Sequence, residues 1–102
     1  MRERQLEFVN RIRDDDPQFR TIQRAVMNEQ NELGLVLGRK VEMEFIPTLM
    51  RSMLTQMARE FPGQDLTVVA YAPSNPPVKM GSAHLNANTG EMTFKWANPS
   101  PR

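Results

Sequence analysis

Residues 48–61, TLMRSMLTQMAREF, constrain the fold of this chain more than any other stretch. Pro47 stands before the segment and Pro62-Gly63 after it, so it is punctuated at both ends. On a helical wheel Leu49, Met50, Met53, Leu54, Met57 and Phe61 fall within one arc of roughly 140°. Arg51, Thr55 and Arg59 form the opposite stripe. An amphipathic helix with so wide an apolar side lies across a β-sheet; a narrow coiled seam would need less. The segment therefore predicts a sheet beside it.

The chain of 102 residues is the size of one domain, and its 39% apolar residues are enough for one core. A domain of this length buries roughly two thirds of its unfolded surface without staples. There is no cysteine, which excludes disulfides, thiolate nucleophiles and cysteine-ligated zinc or iron–sulfur centres. The first residues, MRERQLEF, contain no apolar run of the secretory type, and no stretch approaches the ~20 apolar residues that span a bilayer. A cytoplasmic protein without membrane association is expected. The net charge of +1 exerts no global pull on nucleic acid or anionic lipid.

Upstream of the amphipathic segment the pattern reads as helical. Leu6, Val9 and Ile12, with Phe8 beside Ile12, suggest a first helix over 3–13. Asp14-Asp15-Asp16-Pro17 then breaks the chain, with Asp16 as N-cap and Pro17 at the first position of a second helix. That helix is expected to run from 17 to 33, with Gly34 as its C′ residue. Its apolar stripe of Phe19, Ile22, Val26 and Leu33 is only about 60° wide, which suits helix-on-helix contact. Two such helices would form a hairpin, completed by the same hairpin of a second subunit into a homodimer.

From Leu35 the period shortens. Leu35-Val36-Leu37 reads as a short strand turned by Gly38-Arg39-Lys40. Val41, Met43 and Phe45, alternating with Glu42 and Glu44, read as a second strand. Residues 66–71, LTVVAY, are β-branched and apolar enough for a central strand. Ser74-Asn75-Pro76-Pro77 is a turn. Residues 78–85 and 92–96 form a terminal hairpin across 86–90, and 98–102 form a frayed tail. Gly81, inside a strand, marks a bulge or a place of close backbone approach. The expected order is α-α-(β)-β-α-β-β-β. This is an α+β domain over 1–97, with a helical hairpin at 1–33 and, over 35–97, a mostly antiparallel sheet of three to five strands covered by one helix.

The inventory for chemistry is thin. His84 is the single histidine; Ser82 shares its strand face, but no acidic residue lies near in sequence to orient it. One histidine and no cysteine cannot make a tetrahedral zinc site. The Asp14–Asp16 triplet lacks the spacing of a calcium loop and is explained by helix capping. Glu42 and Glu44 lie on a wet strand face, where a carboxylate stays ordinary. The five glycines are scattered singly, without phosphate-cradling spacing. No catalytic residue, cofactor or metal is expected.

Two outlines are similar to known families. VEMEF, a helix ending in EFPGQ, then LTVVAYA and a hairpin resembles small β-α-β-β proteins that modulate recombination filaments. The resemblance covers about half the chain, and that family's C-terminal helix has no counterpart here. The strand–TGE–strand ending resembles the last turn of periplasmic PepSY modules. Neither carries a site residue over. The reading that remains is a non-enzymatic protein–protein interaction module of bacterial or phage type. Eight methionines support it, since thioethers make adaptable contact surfaces. Its candidate contact residues are Phe19, Ile22, Val26, Met50, Met57 and Trp96. The alternative is nucleic-acid binding through Arg13, Arg20, Arg24, Arg51 and Arg59, which requires those arginines to converge.

Overall fold

A computed structural model describes residues 2–15, 22–28, 30–39, 41–74 and 76–97, the side chains at 2 and 13–15 excepted. The domain is α+β. Two helices, α1 (Arg2–Asp15) and α2 (Ile46–Glu60), pack on one face of a five-stranded sheet. Strands β1 (Ile22–Met27), β2 (Glu32–Leu37), β3 (Leu66–Ala72), β4 (Val78–Leu85) and β5 (Met92–Trp96) stand side by side in chain order. The sheet is mixed: β2 and β3 are parallel, and the other three pairings are antiparallel.

The parallel pair dictates the middle of the chain. Parallel neighbours need a crossover to return the chain to the starting end of the sheet. Residues 38–65 make it, and α2 is its rigid part, about 22 Å long at 1.5 Å per residue. Ile46, Leu49, Met50, Met53, Leu54 and Met57 are buried, so the methionine side of the helix faces the sheet as its spacing requires. Phe61 ends α2 by donating its N–H to Met57 O (2.8 Å). Its ring then meets Phe8 of α1 edge-on, with centroids 6.0 Å apart. Arg11 of α1 and Glu60 of α2 are ion-paired at 2.7 Å nearby. Half-exposed as it is, that pair is worth at most about 1 kcal/mol, so the aromatic contact does more to join the helices.

The helical hairpin expected at the N-terminus does not form. Its first helix is present as α1. The residues expected to continue the second one as a helix form instead the antiparallel hairpin β1–β2, while 16–21 lie outside the described residues. The register slips between Ile22 and Arg24, so the buried residues of β1 are Ile22, Ala25 and Met27. A bulge of this kind inserts one residue and spoils strict alternation, which made a strand look helical. The turn is built from amides. Asn28 Oδ1 accepts the N–H groups of Gln30 (2.9 Å) and Glu32 (3.0 Å), and Asn31 adopts φ 62°. Asparagine is among the few residues that tolerate this left-handed conformation. Gly34, expected as a helix cap, lies mid-strand in β2.

Gln5 of α1, only 1% exposed, locks that turn from inside. Its Nε2 donates to Asn28 O (3.0 Å) and Asn31 Oδ1 (2.8 Å), and Asn31 Nδ2 donates in turn to Gln64 Oε1. One buried amide network thus joins α1, the β1–β2 turn and the loop leading into β3.

The strand expected over 41–45 is also absent. Met43–Phe45 is a single 3₁₀ turn, and Glu42, Met43, Glu44 and Phe45 are all exposed. Alternation over five residues counted for less than the sheet's geometry: β2 pairs directly with β3, leaving no slot between them. The outline shared with recombination-filament modulators began at this strand and lapses with it.

The terminal hairpin spans the residues expected. Gly81 sits beside a register shift that leaves Met80 unpaired against β3. A Cβ at Gly81 would stand 2.8 Å from Phe94 Cζ and 3.0 Å from Lys95 O, so only glycine lets β5 close on β4. At Gly34 the nearest atom to such a Cβ, Tyr71 Cε2, would be at an ordinary 3.5 Å.

Urea unfolding should therefore separate the two glycines. Gly81→Ala is expected to destabilise by about 1–3 kcal/mol through overpacking. Gly34→Ala should fall within about 0.5 kcal/mol of wild type. Gln5→Leu, which strips two acceptors of their buried donor, should cost roughly 1–3 kcal/mol in the same assay.

Candidate functional site

Strand registers lay out the face of the sheet that the helices leave open. One row across the strands is Arg24, Val36, Tyr71 and Lys79; the next is Val26, Gly34, Val69, Ser82 and Lys95. A third holds Glu32, Thr67, His84 and Thr93. On the β1–β3 half the face is apolar. Val26 is 59% exposed, and a shallow groove of about 390 Å³ runs over Gly34 between Val26, Val36, Val69, Tyr71 and Pro77. Gly34 makes the groove by contributing no side chain. Arg24 and Glu32 border it.

The β3–β5 half is polar. Thr67 Oγ1 and His84 Nδ1 lie 3.0 Å apart as a cross-strand hydrogen bond open to solvent. Ser82, half-buried, is paired in register with Lys95. Such a hydroxyl–imidazole pair satisfies its own polar atoms across two strands. Among the described residues no three metal-ligating side chains come together.

Of the contact residues expected from the sequence, the structure brings few to one surface. Ile22, Met50 and Met57 are buried in the core and cannot meet a partner. Their apolar periodicity belongs to β1 and α2 packing on each other's layer, the ordinary use of such residues. Phe19 lies outside the described residues. Val26 is on the open face. Trp96, 41% exposed, projects from the helix side of edge strand β5, where its ring meets Phe94 edge-on at 4.9 Å.

The arginines separate as well. Arg51 and Arg59 are exposed on the outward side of α2, whereas Arg24 lies on the other side of the sheet. Arg20 and the side chain of Arg13 are outside the described residues. The homodimer expected through paired N-terminal helices loses its second helix to β1 and β2.

Gly34 was expected as a helix cap, and Val36 and Val69 only as strand residues, although a signal for the face they share with Tyr71 existed. LGLVL of β2 and LTVVAYA of β3 are apolar at both odd and even positions. Strands of a parallel pair read this way when both of their faces are covered. Here Leu33, Leu35, Leu66 and Val68 point into the core, and their alternates meet solvent.

No protein-family model matches the chain, and no curated protein matches it. Among solved structures it is similar to one described as the crystal structure of the sex pheromone staph-cAM373 precursor, at 11% identity and a TM-score of 0.48. The alignment covers 66% of this chain and 28% of that one, so this chain spans under a third of its length. No helix among the described residues is long and apolar enough to cross a membrane.

Stability measurements should sort the sequence-derived contact residues. Met57→Ala and Met50→Ala are expected to cost about 2–5 kcal/mol each, as core truncations do. Val26→Thr, on the exposed face, should change the unfolding free energy measured in urea by no more than about 0.5 kcal/mol.

Proposed function

We propose that this domain is a protein–protein interaction module and that its partner docks on the open face over β1–β3. The observation that carries the reading is the two-sided apolarity of β2 and β3 beside helices that cover one side only. Exposed apolar area clustered in a groove is characteristic of binding surfaces on soluble domains. The floor at Gly34 admits a side chain from a partner, and Arg24 and Glu32 offer charges for register at the border.

Nucleic-acid binding is the second reading. It draws support from Arg24, Lys79 and Lys95 on the same face. Against it, the three rows hold two rings, Tyr71 and the His84 imidazole, in different rows and on different strands, and single-stranded nucleic acid is held by successive stacked rings. Arg51 and Arg59 face away from this surface and add nothing to it.

A photo-crosslinking amino acid at Val26 tests the proposal inside the producing cell. Protein adducts are expected from that position and not from Thr55 on the outward side of α2. Val69→Lys should abolish them. Adducts to nucleic acid alone, or equal protein adducts from both positions, would overturn the assignment.

A further inference from the structure

We infer that the occupant of the open face is the same face of a second copy of this chain. The inference rests on the docking assignment above and goes further by naming the partner. Its basis is the charge order of the three rows. Arg24 stands at one end of the β1–β3 patch, Val26, Gly34 and Val69 in the middle, and Glu32 at the other end. The end rows are about 13 Å apart along the strands.

A two-fold axis lying across the strands at the level of Gly34 brings two such faces together with their ends exchanged. The apolar β1–β3 parts of the middle rows, Val26, Gly34 and Val69, then meet, with the contact ending short of Lys95 on β5, while each Arg24 comes over the acidic end of the other copy, beside its Glu32. This is the self-complementarity that an isologous interface requires. It also leaves the strands of the two sheets aligned, one of the two standard ways for sheets to stack. Both charges are available for it. The exposed Arg24 guanidinium makes no ion pair or hydrogen bond among the described residues. The Glu32 carboxylate is held at Oε1 by Asn28 Nδ2 (2.8 Å), which orients it without neutralising it.

Size sets the expected strength. Three strands at their usual spacing and length give a patch of roughly 15 by 20 Å. That is well under half of the ~800 Å² per partner of a standard interface, so the pairing is weak and reversible, with a dissociation constant on the order of 100 μM.

Sedimentation equilibrium across about 1–500 μM tests it. Wild type is expected to shift from monomer to dimer over that range. Arg24→Glu alone and Glu32→Arg alone each create two like-charge pairs per dimer and should weaken association about tenfold or more. An equimolar mixture of the two variants restores both opposite-charge pairs and should associate like wild type. Rescue by mixing cannot arise from a stability defect, because each variant keeps its own fold. Thermal unfolding of each variant alone confirms that both are folded.

A wild type that stays monomeric, variants that dimerise unchanged, or a mixture that is not rescued would each overturn the inference. Crosslinks from Val26 to a different protein, with wild type monomeric, would overturn self-pairing and leave the docking assignment standing. Absence of any protein crosslink there would overturn both.

Discussion

The burial of one side of α2 against β3 and β4 is the contact on which the rest of this structure depends. Six side chains of the helix are buried, and each contributes roughly 1.5–3 kcal/mol. Together they rival the ~5–15 kcal/mol by which a whole domain is stable. Without that layer the parallel pairing of β2 with β3 has no crossover, and the sheet divides into the β1–β2 hairpin and the three-stranded β3–β5 meander. The thioethers suit the position. Met50, Met53 and Met57 share one buried cluster with the small Ala70 and Ala83 of the sheet, where flexible thioethers fill irregular gaps.

A second, smaller constraint fixes what the helix layer cannot. The bulged strand β1 is the weakest element in local pattern, and it sits at an edge of the sheet. Gln5, Asn31 and Gln64 hold it by hydrogen bonds that are buried or nearly so, and their removal would expose polar atoms to an apolar interior. A buried amide chain of this sort specifies geometry more than it adds stability, since each bond mostly replaces one to water. It sets where the β1–β2 turn lies relative to α1, and so the position of Arg24 and Val26 on the opposite face.

These two constraints produce a sheet covered on one side only, while two of its strands are apolar on both. The open face inherits a row order of cation, aliphatic and acid from the strand registers alone. No side chain there needs to be perturbed for the surface to act. Contact area, the hollow over Gly34 and charge register are what the proposed docking of a partner draws on.

The sequence by itself determined the elements whose signal is strong and local. α2 was legible from an apolar arc with prolines at both ends, and β4 and β5 from two short apolar strands flanking the turn at 86–90. Gly81 was legible as a site of bulge and close approach. What it could not supply was the identity of 22–27 and 32–33, read as helix, because a single bulge residue gives a strand the spacing of a helix; 35–37 was legible as a strand. The same limit applied to 41–45, where five alternating residues looked like a strand but the chain was needed as a connection. The candidate site depended on both. Val26 was visible as an apolar residue, yet its face, its neighbours Val36, Val69 and Tyr71, and its separation from Arg51 and Trp96 follow from register. Register is a property of pairs of distant strands, and only the tertiary structure decides it.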